Sequence, residues 1–152
     1  MIEDYGAMHE LPDAACQPER DLEYRLIYRI SQPPNEEGNL TSGLSHIAVT
    51  INLFEWAGVP PGQMHLVGII HGDATPAALS GEAYDRQFGR TNPDADLIHQ
   101  LVQHGVRIYV CGQSVLNHGY RREDVNQEVV FALSALSVLA THQVKGYALM
   151  HY

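Results

Sequence analysis

Residues 64 to 70, "MHLVGII", form a run that is apolar apart from His65 and stops at His71 and Gly72. A short run of this kind, bounded by polar residues and a glycine, reads as a buried strand. What surrounds it decides the fold class. "EYRLIYRI" at 23 to 30 sets Tyr24, Leu26, Tyr28 and Ile30 against Glu23, Arg25 and Arg29, the two-residue period of a strand with one wetter face. Between the two, Leu44, Ile47, Ala48, Ile51 and Phe54 fall at helical spacing, predicting an amphipathic helix over 43 to 57 that ends near Gly58 and Pro60. "VRIYV" at 106 to 110 is a third strand and "VKGYALM" at 144 to 150 a closing one. Strands separated by helices pair in parallel through right-handed crossovers, which predicts a three-layer α/β domain with a mostly parallel sheet.

The helical segments in between carry their own punctuation. Thr75 and Pro76 have the order of an N-cap and first-turn pair, and the polar residues from Gly81 to Gly89 fit two short helical pieces. Asn92, Pro93, Asp94 and Asp96 start a helix whose core face is Leu97, Ile98, Leu101 and Val102, with Gly105 as its stop. Asp124 and Gln127 have capping-box spacing, predicting a long apolar helix through "VVFALSALSVLA" to about Thr141, buried on several sides and in contact with a second subunit. Residues 1 to 20, with Pro12 and Pro18, are expected to be an irregular arm packed on a neighbour or on the domain itself; 21 to 152 make the single domain.

Composition narrows the function classes. At 152 residues with 45% hydrophobic and 18% charged, the chain has the globular balance of one domain. Its net charge of -9, with no Lys/Arg cluster beyond Arg121 and Arg122, opposes binding to a phosphate backbone, so no nucleic acid partner is expected. Cys16 and Cys111 make neither a disulfide framework nor a CxxC site. The longest apolar stretch is too short to span a membrane, and the polar N-terminus lacks the order of a signal peptide. A cytoplasmic location is the default expectation, and a periplasmic one applies if an export signal has been removed. No HxxxH, HExxH, GxGxxG or GxxxxGK[ST] pattern occurs, so neither a metal nor an organic cofactor is expected.

Parallel α/β sheets bind ligands outside the carboxyl ends of their strands. Two such ends carry reactive groups here: His71, Gly72 and Asp73 after the second strand, and Cys111, Gly112, Gln113 and Ser114 after the third. Glycines at 72 and 112 allow close backbone approach. If Gln113 or Ser114 opens a helical turn, Cys111 sits at a helix start, where a thiol is activated as a nucleophile near neutral pH. The competing reading is an inert core thiol, since free cysteine is among the most buried residue types. His71 is the candidate partner of the thiolate, with His118 and Tyr120 along the same loop.

The segments "VGIIHGDATPAAL", "RIYVCGQSVLNHGY" and "QVKGYALMHY" resemble the DsrE/DsrF-like (YchN-like) proteins. The resemblance covers about residues 21 to 152. It implies a Rossmann-like α/β fold that assembles into trimers or hexamers. It also implies, for some members, a cysteine that carries sulfur as a persulfide between donor and acceptor proteins, in tRNA thiolation or sulfur oxidation. Cys111 matches the position of that cysteine, with Gly119 eight residues on; His118 stands where relay members have a basic residue. Three readings follow: a sulfur carrier on Cys111, a small-ligand or anion-binding module with a structural thiol, and an assembly protein with a vestigial site.

Overall fold

The computed structural model describes residues 1–152. Five strands, β1 (Tyr24–Ile30), β2 (Met64–Ile70), β3 (Arg107–Cys111), β4 (Val130–Ala132) and β5 (Ala148–His151), form one sheet. All pairs are parallel, in the order β4-β3-β2-β1-β5. The helices are α1 (Ser42–Trp56), α2 (Gly81–Phe88), α3 (Ala95–Gln103), α4 (Gly112–Asn117) and α5 (Ala135–Val144). The fold is Rossmann-like, with the sheet as the middle layer.

Side-chain alternation along the strands separates two cores. Tyr28, Ile30, Leu66, Ile70, Ile108 and Val110 pack with Leu44, Ile47, Leu97, Ile98 and Leu101 of α1 and α3. Ile27, Val67, Ile69 and Cys111 face the other way, against Ala135 and Val138 of α5. The chain steps from β1 to β4 in one direction and then returns past the whole sheet to β5. With right-handed crossovers, that reversal puts α1 and α3 on one face and α5 on the other. A buried polar tie locks the first face: the Asp94 carboxylate accepts hydrogen bonds from the Thr41 N–H at 2.8 Å and hydroxyl at 2.7 Å, joining the starts of α1 and α3. Burial pushes the Asp94 carboxyl above its ordinary pKa.

The arm packs on its own domain. Asn52 of α1 accepts from the Ile2 N–H at 2.7 Å and donates to the carbonyls of Ile2, Tyr5 and Gly6. A Cβ at Gly6 would lie 2.6 Å from the Ala48 carbonyl carbon, so a glycine lets the arm lie this close to α1.

Four expectations need correction. The long apolar helix through 126 to 141 does not exist: Val130–Ala132 pair with β3 as an edge strand, and the helix begins only after Ser134, whose hydroxyl caps the Leu136 N–H at 2.9 Å. Residues 129 to 133 are apolar at every position and fit both periods, and pairing with an open sheet edge decides between them. Asp124 does not cap with Gln127; its carboxylate accepts from the Arg121 N–H at 2.9 Å within a short 3₁₀ turn, Arg122–Asp124. Thr75 caps no helix, because it lies inside a 3₁₀ segment, Gly72–Ala78, and donates to the Gly72 carbonyl at 2.7 Å. The closing strand starts at Ala148, because α5 runs to Val144 and Gly146 turns the chain at φ +93.

Candidate functional site at the β3 and β4 strand ends

The loops after β1, β2 and β3 all lead toward the α1 and α3 face, while the loop after β4 leads to α5. The topological switch point therefore lies between β3 and β4, where a parallel sheet opens a crevice. Cys111 pairs in register with Ala132 on one side of it. Gly112 keeps the crevice narrow at its base, since a Cβ there would lie 2.6 Å from the Ala132 carbonyl oxygen and 2.8 Å from the Phe131 ring. Across the gap, Gln113 donates from Nε2 to the Leu133 carbonyl at 3.1 Å.

A cavity of about 570 Å³ opens at this point. Its wall is built from Arg29, His71, Gly72, Cys111, Gln113 and Ser114, with Asn117 from α4 and Ser134, Ala135, Leu136 and Leu139 from the α5 side. Cys111 is the last residue of β3 and the N-cap of α4, and the Ser114 N–H points at its Sγ at 3.4 Å. It is only 6% exposed and yet forms part of the cavity wall. Ser114 is a tie as well as a lining group. Thr75 spends its hydroxyl proton on Gly72, so the 2.6 Å contact between the two hydroxyls is donated by Ser114, which also accepts from the Gly72 N–H at 3.1 Å.

β2 and β3 are neighbours whose pairing ends at Ile70 and Val110, and the next residue of each, His71 and Cys111, lines the same cavity. No hydrogen bond joins the two side chains. The His71 Nε2 instead receives the Arg29 Nε–H at 3.1 Å, and Arg29 Nη1 lies 3.2 Å from His151 Nε2. Guanidinium is only a donor, so both imidazole nitrogens act as acceptors. Burial, then Arg29, then His151 hold the His71 pKa below its ordinary value, so each favours the neutral ring. The fixed cation of the site is Arg29.

Cys111, His71, Gly72, Gln113 and Ser114 thus share one cavity, with Gly112 at its base. The other three candidates lie elsewhere. Asp73 lines a separate cavity of about 220 Å³ with Thr41, Arg90 and Asp94. His118 bonds back to the Ser114 carbonyl at 2.8 Å and stacks on Tyr120, which lines a third depression beside Arg121 and Asp124. Cys16 is exposed in the arm, grouped with Phe54 and Trp56 at the end of α1. Phe54 packs on Tyr24 at the start of β1, so Cys16 belongs to the amino end of the sheet, opposite to Cys111.

The DsrE/DsrF-like family model matches residues 25–152. The chain belongs to the DsrE/DsrF-like family. Two solved structures share its fold. One is a protein of unknown function, MTH1491, from Methanobacterium thermoautotrophicum, with 16% identity over 85% of this chain and 99% of that one, and a TM-score of 0.63. The other is the ychN protein from E. coli, with 15% identity over the same shares and a TM-score of 0.62. No curated protein matches the sequence.

For this DsrE/DsrF-like chain, sequence reasoning missed Arg29 and the α5 wall. Arg29 reads as an ordinary wet-face residue of β1, and its partners lie 42 and 122 positions away. Ser134 carried a usable signal, the first cap-type residue after Val129–Leu133. No group of three or more His, Cys, Asp or Glu is placed to hold a metal ion, and no helix is long and apolar enough to cross a membrane.

Proposed function

We propose that the protein is a sulfur carrier that accepts sulfane sulfur as a persulfide on Cys111. The observation that carries this reading is the placement of Cys111 at the switch-point crevice, its sulfur facing a backbone N–H and its wall shared with a fixed cation. The thiolate attacks the outer sulfur of a donor persulfide, the donor S–S bond breaks, and the donor thiolate leaves. An acceptor thiolate then repeats the exchange on Cys111. Neither step calls for a metal or an organic cofactor. Donor and acceptor proteins are the partners this chemistry implies.

The test is intact mass after exposure to a cysteine desulfurase with cysteine. A reducible gain of one sulfur in the native chain, lost in Cys111→Ser, is the expected result. No gain, together with slow alkylation of Cys111 at neutral pH, would leave a small-ligand or anion-binding module with a structural thiol. Arg29 is the observation that favours that second reading.

A homo-oligomer belongs to the same proposal. Leu133, Leu136 and Val144 are 73%, 80% and 89% exposed, and Leu136 also lines the Cys111 cavity. A second copy of the chain seated on this strip removes apolar surface from water and narrows the cavity mouth. Sedimentation velocity of native chain and of Leu136→Asp tests it: a trimer or hexamer that the substitution dissociates is expected, and a native monomer sinks it.

A further inference from the structure

We infer that Arg29 makes the Cys111 cavity a subsite for a small oxyanion carrying a sulfane sulfur, of the thiosulfate class. The inference rests on the carrier reading of Cys111 and names its donor. Of the residues that line the cavity, Arg29 alone carries a charge, and no carboxylate is among them. Elsewhere in the chain Arg86, Arg90 and Arg121 are each paired with an acidic side chain. Arg29 has only the two histidine nitrogens as partners, and neutral acceptors hold a cation in place without neutralising it. A guanidinium has five N–H donors. Two are spent on His71 and His151, so the rest of the fork is free for an anion.

Geometry selects a compact donor. The guanidinium donates to His71 at 3.1 Å, and Arg29, His71 and Cys111 line one cavity of about 570 Å³, so charge and thiol face the same small space. A cavity that holds both suits a small molecule carrying its negative charge and its transferable sulfur together. Cys111 is 6% exposed, which suits a donor small enough to enter the cavity whole.

The step balances without an added oxidant or reductant. The Cys111 thiolate attacks the outer sulfur of thiosulfate, a new S–S bond forms, and the bond to the inner sulfur breaks with its electron pair. Sulfite leaves as a dianion on Arg29, and Cys111 is left as a persulfide anion. Total charge is the same on both sides.

The test has two arms, each on the full chain. First, thiosulfate binding to Cys111→Ser is measured by calorimetry, with Arg29 present, as Arg29→Gln and as Arg29→Lys. Binding at one site, weakened at least about tenfold by Arg29→Gln and partly kept by Arg29→Lys, is expected for a hydrogen-bonded charge. Second, the native chain is given thiosulfate, with mass and released sulfite recorded; one sulfur gained per sulfite released is expected. Absent binding, or binding equal in all three forms, overturns the subsite, while loading by a desulfurase would leave the carrier reading standing. Arg29-dependent binding without sulfur gain from either donor overturns the donor assignment together with the carrier reading. Thermal melts of each variant exclude misfolding as the cause, and Arg29→Lys preserves the test if Arg29→Gln fails to fold.

Discussion

The two faces of the sheet are built to different standards. On the α1 and α3 side a cluster of 21 buried residues forms the main core, and Leu44, Ile47, Leu97, Ile98 and Leu101 are fully buried. On the α5 side the cluster has 6, and the covering helix leaves Leu136 and Val144 in the open. Cys111 belongs to the thin side. A fully packed face has no room for a ligand, whereas the short helix over β1 and β2 leaves the crevice beside β3 uncovered. The thick face supplies stability, and the thin face supplies access.

The largest test of that division is a matched pair of leucines. Leu101→Ala should cost about 2–5 kcal/mol, from lost burial and the cavity left behind. Leu136→Ala should change stability by less than about 0.5 kcal/mol, as expected for an exposed position. Urea denaturation at low protein concentration reads both. Equal costs in the dissociated monomer would break the comparison, because they would mean that Leu136 is covered within its own chain.

Next comes the arm, which reinforces the thick face alone. Asn52→Ala removes hydrogen bonds to Ile2, Tyr5 and Gly6 and leaves the buried Ile2 N–H without its partner. A loss of about 1–3 kcal/mol is expected. Limited proteolysis should then cut within the first residues. An arm as protected as in the native chain would show that Asn52 does not anchor it.

How much of this was legible in the sequence follows the same division. The thick face is written locally: the spacing of Leu44, Ile47 and Ile51, and of Leu97, Ile98 and Leu101, marks two helices, and the strands they cover were found within a residue or two. The thin face is written through the fold. β4 hides in a run apolar at every position, where only Ser134 marks the break. The place of Cys111 at a strand end was readable because strand, cysteine and glycine are contiguous. Arg29 was not, because its meaning depends on His71 and His151 reaching it from neighbouring strands. Asp73 misled by adjacency: Gly72, at φ +58, turns the chain so that Asp73 joins Arg90 and Asp94 in another cavity.

Gly112 sharpens the comparison at the crevice itself. Gly112→Ala drives a methyl against the Ala132 carbonyl and the Phe131 ring, and overpacking of this kind costs about 1–3 kcal/mol. Because the obstruction lies where β3 meets β4, the edge strand should yield before the rest of the sheet does. Hydrogen exchange of β4 amides should rise more than that of β1 and β2. Uniform loosening of all strands would show that the crevice is not an independent part of the fold.

The smallest effect is a pH dependence centred on His71. Its folded pKa lies below the ordinary value of about 6.5, so between the two values the unfolded chain binds more protons than the folded one. Stability from this group is therefore fully present above about pH 6.5, declines as the pH falls, and levels off once the folded ring is itself protonated. The residue is partly open to solvent, which keeps the effect small. His71→Gln keeps an acceptor for the Arg29 Nε–H and removes the titration. The stability difference between native chain and variant should shrink between pH 7.5 and 5.5, although the other histidines titrate alike in both. An unchanged difference would mean that His71 does not hold Arg29 as a neutral acceptor. The same protonation turns an acceptor for Arg29 into a second cation beside it, so acid should loosen the guanidinium that the cavity depends on.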